Sequence, residues 1–522
     1  MKQFIPAWYD STNWWDSTLE PFYNKKRVTE FDDMVSLLSM YRKNEESFAT
    51  LILNYQPMLR LFLHRHQLYE VDYWSLFDVI QGAQNMTPQA IDYRDLAWPE
   101  DTEFMYTPFQ VIAIIATNTY SKIIFSQEGY LLWIEDFENE LLKRKFIFDD
   151  RGFISSIESY DASGTLTNRD YLNVSGSTIM RQNFNTQKVT IMTESHVHFQ
   201  KTEYNNMDEL IREKLSDFND NNLKNEDKLI VATDERHNDL LNEVFQVENI
   251  CYSLFTPRNR HINDELLKSI TTANQCVVDT QENEIKVDAF VTKNPQAQPF
   301  NFMRITPFEA QMLPNISSQL YETNIGAWID GLEDNVLRQL ITQLTQYIYH
   351  HEKTKILLMT KASEHEIAQW LKDEIQKIND SLNTENEELS LEVRDILETE
   401  LEEIEAIKII SVPFEEDLMK AMSHLRIVVD LNQEPDLYLQ ISSISAGIPQ
   451  INKRQTDYVD HKLNGLIIDN IEQLHKALDY FLLNLKNWNY SFAHSIKLSD
   501  NFSSKFIIQQ LDSLIEGEIY GA

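Results

Sequence analysis

The 522-residue sequence predicts an α/β protein built from two doubly wound lobes, with an antiparallel β-sheet inserted into the first. Three observations carry this expectation. Apolar runs of strand length, separated by helical patterns, recur towards both ends of the chain. Between them the period changes to alternation, punctuated by Gly152, Gly164 and Gly176 at 12-residue intervals. The length suggests three or so structural units, and 27 Phe, 22 Tyr and 42% hydrophobic residues can fill several cores. Global disorder is therefore excluded.

Residues 1–144 are expected to form the first part of the N-terminal lobe. The run FATLIL at 48–53 reads as a strand, and QPMLR at 56–60 opens a helix behind it. VIAIIA at 111–116 and SKIIF at 121–125 are expected to add elements to the same α/β layer. A mononucleotide-binding fold uses glycines in its first strand-to-helix loop so that the backbone can approach phosphate. The first glycine here is Gly82, which argues against a phosphate cradle in this unit.

Residues 145–204 form the expected antiparallel meander, with strand-length alternation such as 153–160 between turn glycines. It is either a platform that contacts protein or glycan through exposed aromatics, or a structural insertion. His196 and His198 would share one side of a strand, a pair lacking a third metal ligand nearby.

Residues 205–318 return to α/β periodicity and continue the first lobe. The strand 228–233 leads into Asp234, Arg236 and His237, at the strand end where open α/β sheets collect ligands; helix capping explains the same residues. Residues 319–487 form the second lobe, with buried strands at 355–360, 406–411 and 425–430. Between Glu385 and Glu405 stand ten acids and Arg394. Leu389, Val393, Leu397, Leu401 and Ile404 make a helical stripe there, so an amphipathic surface helix is expected. Residues 488–522 hold Phe492, Ile496, Phe502, Phe506 and Leu511, the apolar positions of C-terminal helices.

The 82 acidic against 46 basic side chains give a formal charge of −36. Such a field repels polyphosphates, so nucleic acid is not an expected partner. Cys251 and Cys276 provide neither a disulfide framework nor zinc-site spacing, which fits a reducing compartment. The N-terminus shows no basic stretch leading into a hydrophobic core, and the run at 111–116 is too short for a bilayer. A cytoplasmic location follows, with membrane contact at most peripheral. There is no Gly-x-Ser-x-Gly elbow or P-loop, and Gln369 stands where a zinc protease would follow His365 with a second His. No cofactor or metal is expected.

The stretch 434–469 carries a family resemblance. Glu434, the turn Ala446-Gly447-Ile448-Pro449, the loop 456–459 and the strand 464–468 resemble the nucleotide-sugar half of a GT-B glycosyltransferase. Retaining members of that class place a second glutamate at the position held here by Ser442. The resemblance implies that this carboxylate would hold the donor ribose through charge-assisted hydrogen bonds, which a hydroxyl makes at roughly half the strength. Metal-independent members also carry an Arg and a Lys near the first strand–helix turn of this lobe. The corresponding segment 325–334, around Gly326, has no cation and three acids. Each lost contact forfeits on the order of 4 kcal/mol at about 4 Å, so donor binding would weaken by several powers of ten. Glu434, Ser442 and Gly447 then mark a vestigial donor cleft.

Along its whole length the chain resembles something more specific. FIPAWY at 4–9, Trp14-Trp15, NIGAWIDG at 324–331 and the degenerate second lobe are similar to the first accessory secretory proteins of the accessory Sec system, which exports serine-rich repeat adhesins from Gram-positive bacteria. Membership implies a GT-B-like pair of Rossmann-like domains, an inserted sheet used for protein contacts, and C-terminal helices crossing back to the first lobe. It implies a non-catalytic scaffold whose partners are the second and third accessory secretory proteins, the motor ATPase and the serine-rich repeat glycoprotein. Membrane association would come only through the translocase. The alternatives are an active GT-B glycosyltransferase or a non-catalytic co-subunit of one. Among Trp8, Tyr9, Trp14 and Trp15, some are expected to anchor the first strand and at least one to be exposed.

Overall fold

The first lobe is ordered by seven parallel strands, which lie side by side as Asn301–Arg304, Gln275–Val278, Ile250–Leu254, Lys228–Ala232, Lys2–Ile5, Phe48–Ile52 and Tyr73–Ser75. The computed structural model that shows this describes residues 1–23, 31–295, 300–351, 353–391 and 405–517. Successive side chains of a strand point to opposite faces, and here both faces are covered. Ile5, Leu51, Leu229 and Val231 face one core. Phe4, Ile52, Ile230 and Ala232 face the other, against Met34, Leu38, Ile507 and Leu511. Burial on both sides is why these strands read as continuous apolar runs.

The second lobe repeats the plan with six parallel strands, in the order Ile407–Ser411, Thr354–Thr360, Thr323–Trp328, Leu425–Asp430, Gln450–Asn452 and Gly465–Ile467. Strand order reverses between Thr323–Trp328 and Leu425–Asp430, so a crevice opens at their carboxyl ends. The helix Gln369–Leu391 covers the start of the acidic stretch; the rest of the expected stripe lies outside the described residues.

The antiparallel sheet has ten strands, running in sequence order from Glu103–Tyr106 to Glu203–Tyr204. It begins well before residue 145, and Val111–Ala116 and Thr119–Phe125 belong to it and not to the α/β layer. The turn between Thr119–Phe125 and Leu131–Glu138 carries Gly129 at φ +86°, but the next hairpin lacks a turn glycine and escapes sequence reading. Asn139 and Glu140 take positive φ angles of 50° and 64° between Leu131–Glu138 and Leu141–Asp149, a conformation that ordinarily favours glycine. The recurrent glycines do mark later hairpins. At Gly152, φ is +86° and a Cβ would lie 2.1 Å from the Gln89 carbonyl oxygen, so a side chain is barred twice over.

Buried polar bonds seat this sheet on the first lobe. Arg151 donates to both oxygens of Asp78 (2.9 and 2.7 Å) and of Asp149 (2.7 and 2.9 Å), and to the Ala83 carbonyl at 2.7 Å. Arg60 adds contacts to Asp149 at 3.1 Å and Asp150 at 2.5 Å. Arg169 bridges Asp16 at 2.8 Å and Glu158 at 2.6 Å. Gln81 donates to the Ser155 and Leu172 carbonyls, and Tyr55 to the Ser155 and Ser156 hydroxyls.

Two other expectations are corrected. Trp8, Trp14 and Trp15 are all buried and Tyr9 is half-buried, so none of the four is exposed. Trp8 and Trp14 satisfy their indole N–H groups on Asp32 at 3.1 Å and Asp208 at 2.9 Å, which removes the usual reason to reach water. His196 and His198 lie in the 3₁₀ turn Thr193–His198, not on a strand. No group of three or more metal-ligating side chains occurs among the described residues, and no described helix is long and apolar enough to cross a membrane.

The helix Leu485–Ser499 packs on Leu437–Ala446 of the second lobe, with the Trp488 indole donating to the Arg426 carbonyl at 2.9 Å. The last helix, Ser504–Glu516, returns to the first lobe. There Tyr41 and Lys2 hold Asp512 at 3.0 and 2.5 Å, and Gln275 donates to the Leu514 carbonyl at 2.8 Å.

Candidate functional site

The crevice at the carboxyl ends of the second-lobe strands is where a GT-B donor site would stand, and the chain's own carboxylates fill it. Thr323–Trp328 ends in the turn 329–333; Gly326 lies inside the strand, against Leu425, and not in the turn. Asp330 follows, accepting the Lys361 backbone N–H at 2.7 Å and the Thr360 hydroxyl. From the next strand end, Asp430 accepts the backbone N–H groups of Asn432 at 3.0 Å and Asp436 at 2.8 Å. Asn432 ties the two together, donating from its amide to Asp430 at 2.8 Å and to the Asp330 carbonyl at 2.9 Å. Burial pushes the Asp430 carboxyl up to about 6, against the pull of the Asn432 and Asp436 N–H bonds.

A cation does approach this crevice, from a position the sequence analysis did not consider. Lys361, just beyond Thr354–Thr360, lies 5.3 Å from the Trp328 ring centroid and 4.4 Å from that of Phe31. Its ammonium is bound to Asp436 at 2.8 Å. Its signal was a lone Lys after a buried strand, which periodicity alone does not distinguish from a surface residue.

Glu434 lies at the seam between the lobes. Arg454 holds it at 2.7 Å, and the narrow gap beside it is lined by Asp279, Thr280, Gln281 and Arg304 of the first lobe. Burial raises the Glu434 carboxyl above its usual range, with Arg454 opposing and Glu282 and Asp279 adding to the rise. Burial likewise lifts Asp279 to about 6. Arg304 bridges the lobes, pairing with Glu284 at 2.9 Å and Asp457 at 2.7 Å.

Ser442 is buried and lines a different space, an interlobe cleft of about 470 Å³ that also meets Phe31, Ser36, Glu309, Phe414 and Tyr438. Gly447 sits at the far end of the same helix. It ends Leu437–Ala446 in the left-handed conformation at φ +68°, and a Cβ there would come within 2.3 Å of the Phe492 ring. The three residues thus frame one helix without converging on one point.

Asp234, Arg236 and His237 in the first lobe are turned onto the chain itself. Arg236 grips Asp234 at 2.7 Å and the Ser11 carbonyl at 3.1 Å. His237 is fully buried between the Ala232 carbonyl and the Tyr9 hydroxyl, both at 2.8 Å. A carbonyl can only accept, so Nε2 carries the proton and Nδ1 accepts from Tyr9. Burial pulls this imidazole down to about 4, so it is neutral at pH 7. The neighbouring Asp33 is closed in the same way, by Arg258 at 2.6 and 2.9 Å and Ser253 at 2.7 Å.

Comparison with known proteins agrees with this geometry. The family model for the first accessory Sec system protein matches residues 1–517. That protein in Staphylococcus aureus (strain NCTC 8325 / PS 47) is 42% identical over 519 residues, covering 99% of each chain. A chain in the crystal structure of accessory secretory proteins 1, 2 and 3 of Streptococcus pneumoniae superposes with a TM-score of 0.78 at 27% identity, covering 99% of each. The pneumococcal O-GlcNAc transferase GtfA, solved with UDP and GlcNAc, superposes with a TM-score of 0.70 at 12% identity over 100% of this chain and 99% of its own. That last likeness shows a shared GT-B fold and no more. By the extent and identity of these matches, the chain belongs to the family of the first accessory Sec system proteins.

Proposed function

We propose that this chain is a non-catalytic GT-B scaffold of accessory Sec export. It assembles with the second and third accessory secretory proteins and, through that assembly, engages the motor ATPase and the serine-rich repeat glycoprotein at the cytoplasmic face of the membrane. Family membership supports the export role, and the solved complex of the pneumococcal relative supports the first two partners.

One observation carries the non-catalytic reading: at the second-lobe crevice, Asp330 and Asp430 occupy the backbone N–H groups of Lys361, Asn432 and Asp436. A sugar nucleotide needs such donors free for its diphosphate. Lys361, a cation in reach, is bound by Asp436, and Ser442 offers no carboxylate for a ribose. An anionic donor would have to displace two carboxylates from their N–H partners in a field of the same sign.

Native co-purification from cells making all accessory Sec components tests the scaffold role. Recovery of the second and third proteins with this chain is the expected result, and failure to recover any component would overturn it. Calorimetric titration with a panel of nucleotide sugars tests the catalytic half separately. Absence of heat from the folded chain is expected, and saturable binding of one donor would restore the transferase reading.

A further inference from the structure

At the amino end of the second-lobe sheet, opposite the donor crevice, Arg426 stands out of register. Asn324 of the strand Thr323–Trp328 pairs with Leu425, and the next residue, Ile325, pairs with Ile427. Arg426 is therefore the extra residue of a β-bulge. A bulge re-aims the side chain it carries, and this one brings the guanidinium over the Trp488 ring, 3.8 Å from the centroid. We propose that this pair docks an acidic segment of a partner protein, a carboxylate flanked by apolar side chains.

The state of the guanidinium carries the proposal. Arg426 makes no ion pair among the described residues, although the chain holds 82 acidic side chains. Its Nη1 is buried without a hydrogen-bond partner, a condition that native proteins seldom leave unrelieved. Burial pulls the group below its usual range with no carboxylate to raise it, yet arginine keeps its charge at neutral pH. The indole beneath is fixed by other contacts. Its N–H donates to the Arg426 carbonyl at 2.9 Å, and the Phe492 ring lies nearly parallel to it at 5.8 Å. A guanidinium seated over an aromatic ring keeps its planar fork for a carboxylate, which it grips through two parallel N–H bonds.

The surface beside the pair selects the kind of partner. Leu485 opens the helix Leu485–Ser499 three residues before Trp488 and so shares its side of that helix. Leu485 is 61% exposed, and Leu483, two residues earlier, is 64% exposed. Lys486 is exposed as well; its ammonium lies 5.5 Å from the Tyr490 ring centroid and makes no ion pair among the described residues. Uncommitted cations beside exposed leucines complement a short segment that is both acidic and apolar. Nucleic acid or an anionic lipid surface would bring many charges into the field of a −36 chain, whereas a single carboxylate does not.

The test uses the full chain, fluorescently labelled, on an array of capped hexapeptides. Each combines Glu or Asp with Leu, Ile, Val and Phe, and is printed beside its Gln or Asn twin. Binding to a subset of the acidic peptides and not to their twins is expected. In solution, fluorescence anisotropy with the strongest acidic peptide should show affinity falling at least about tenfold in Arg426→Gln. Arg426→Lys should keep part of the binding, since the charge survives and the fork does not. Leu485→Glu, at an exposed position that spares the core, should abolish it. Arg426→Glu should bind the same peptide once Lys replaces its acid. The proposal is overturned if the folded chain binds no acidic peptide, if the twins bind equally, or if affinity is unchanged in both Arg426→Gln and Leu485→Glu. None of these results depends on whether the chain acts as an export scaffold.

Discussion

Replacing Arg151 by Met should loosen the inserted sheet from the first lobe by about 3 kcal/mol. The guanidinium is buried and makes five hydrogen bonds, four of them to Asp78 and Asp149, which are themselves buried. Removing one side of a buried ion pair strands the other, at a cost of about 3–5 kcal/mol. Arg60 remains 3.1 Å from Asp149 and 3.4 Å from Asp78, and methionine refills part of the volume, so the lower end applies. Urea unfolding followed by tryptophan fluorescence would read the global loss. Amide hydrogen exchange would locate it: Leu141–Asp149 and Phe153–Tyr160 should exchange roughly a hundredfold faster if they open together. Arg151→Lys should fall between wild type and Arg151→Met, since an ammonium keeps the charge but not the planar fork. A stability loss below about 1 kcal/mol, or faster exchange confined to the second lobe, would refute the buried network as the seat of the sheet.

Three further outcomes are expected. His237 is neutral and buried with a folded pKa of about 4, against about 6.5 unfolded. Its contribution is fully present above pH 6.5 and is lost as pH falls towards 4; the stability gap between wild type and His237→Gln should shrink by about 2–3 kcal/mol from pH 7.5 to 4.5, and a constant gap would contradict the assignment. Gly447→Ala should destabilise by about 1–3 kcal/mol in thermal or urea unfolding, because the new Cβ meets Phe492 at 2.3 Å and φ is +68°, with Phe492→Ala relieving the clash in the double variant. Ser442→Glu should bring no nucleotide-sugar binding by calorimetry, because the carboxylates at the crevice still hold its N–H donors; saturable binding by this variant would mean that the missing ribose carboxylate alone had silenced the site.

What could be read from the sequence follows how each element is stabilised. Strands buried on both faces, such as Lys228–Ala232 and Leu425–Asp430, announced themselves as apolar runs. The hairpins ending in Gly152, Gly164 and Gly176 were legible because a positive φ selects glycine. Those turning at Asn139 and Glu140 were not, because tertiary context holds ordinary residues in the same conformation. Val111–Ala116 misled for a related reason: its outward-facing Ile112 and Ile114 are themselves apolar and only half-buried, which hides the alternation. At the crevice, the acids of 329–334 were visible, but their partners were not. Lys361, Asp430, Asn432 and Asp436 come from two other strand ends, and only the sheet order brings them beside Asp330. Ser442 and Gly447 share a helix, yet one lines the interlobe cleft and the other faces Phe492, a division that local spacing does not encode.

The closing helix Ser504–Glu516 has a bearing on how the protein is made. Phe4, Met34 and Leu38 emerge from the ribosome long before Ile507, Ile508 and Leu511, which cover them. At about 5–20 residues per second, the intervening stretch of roughly 500 residues takes about 25–100 s to synthesise. Through that interval the first lobe has an uncovered apolar flank, and Lys2 and Tyr41 wait for Asp512. A chain that stops early keeps that flank open, which gives chaperones and proteases a simple mark of an unfinished product.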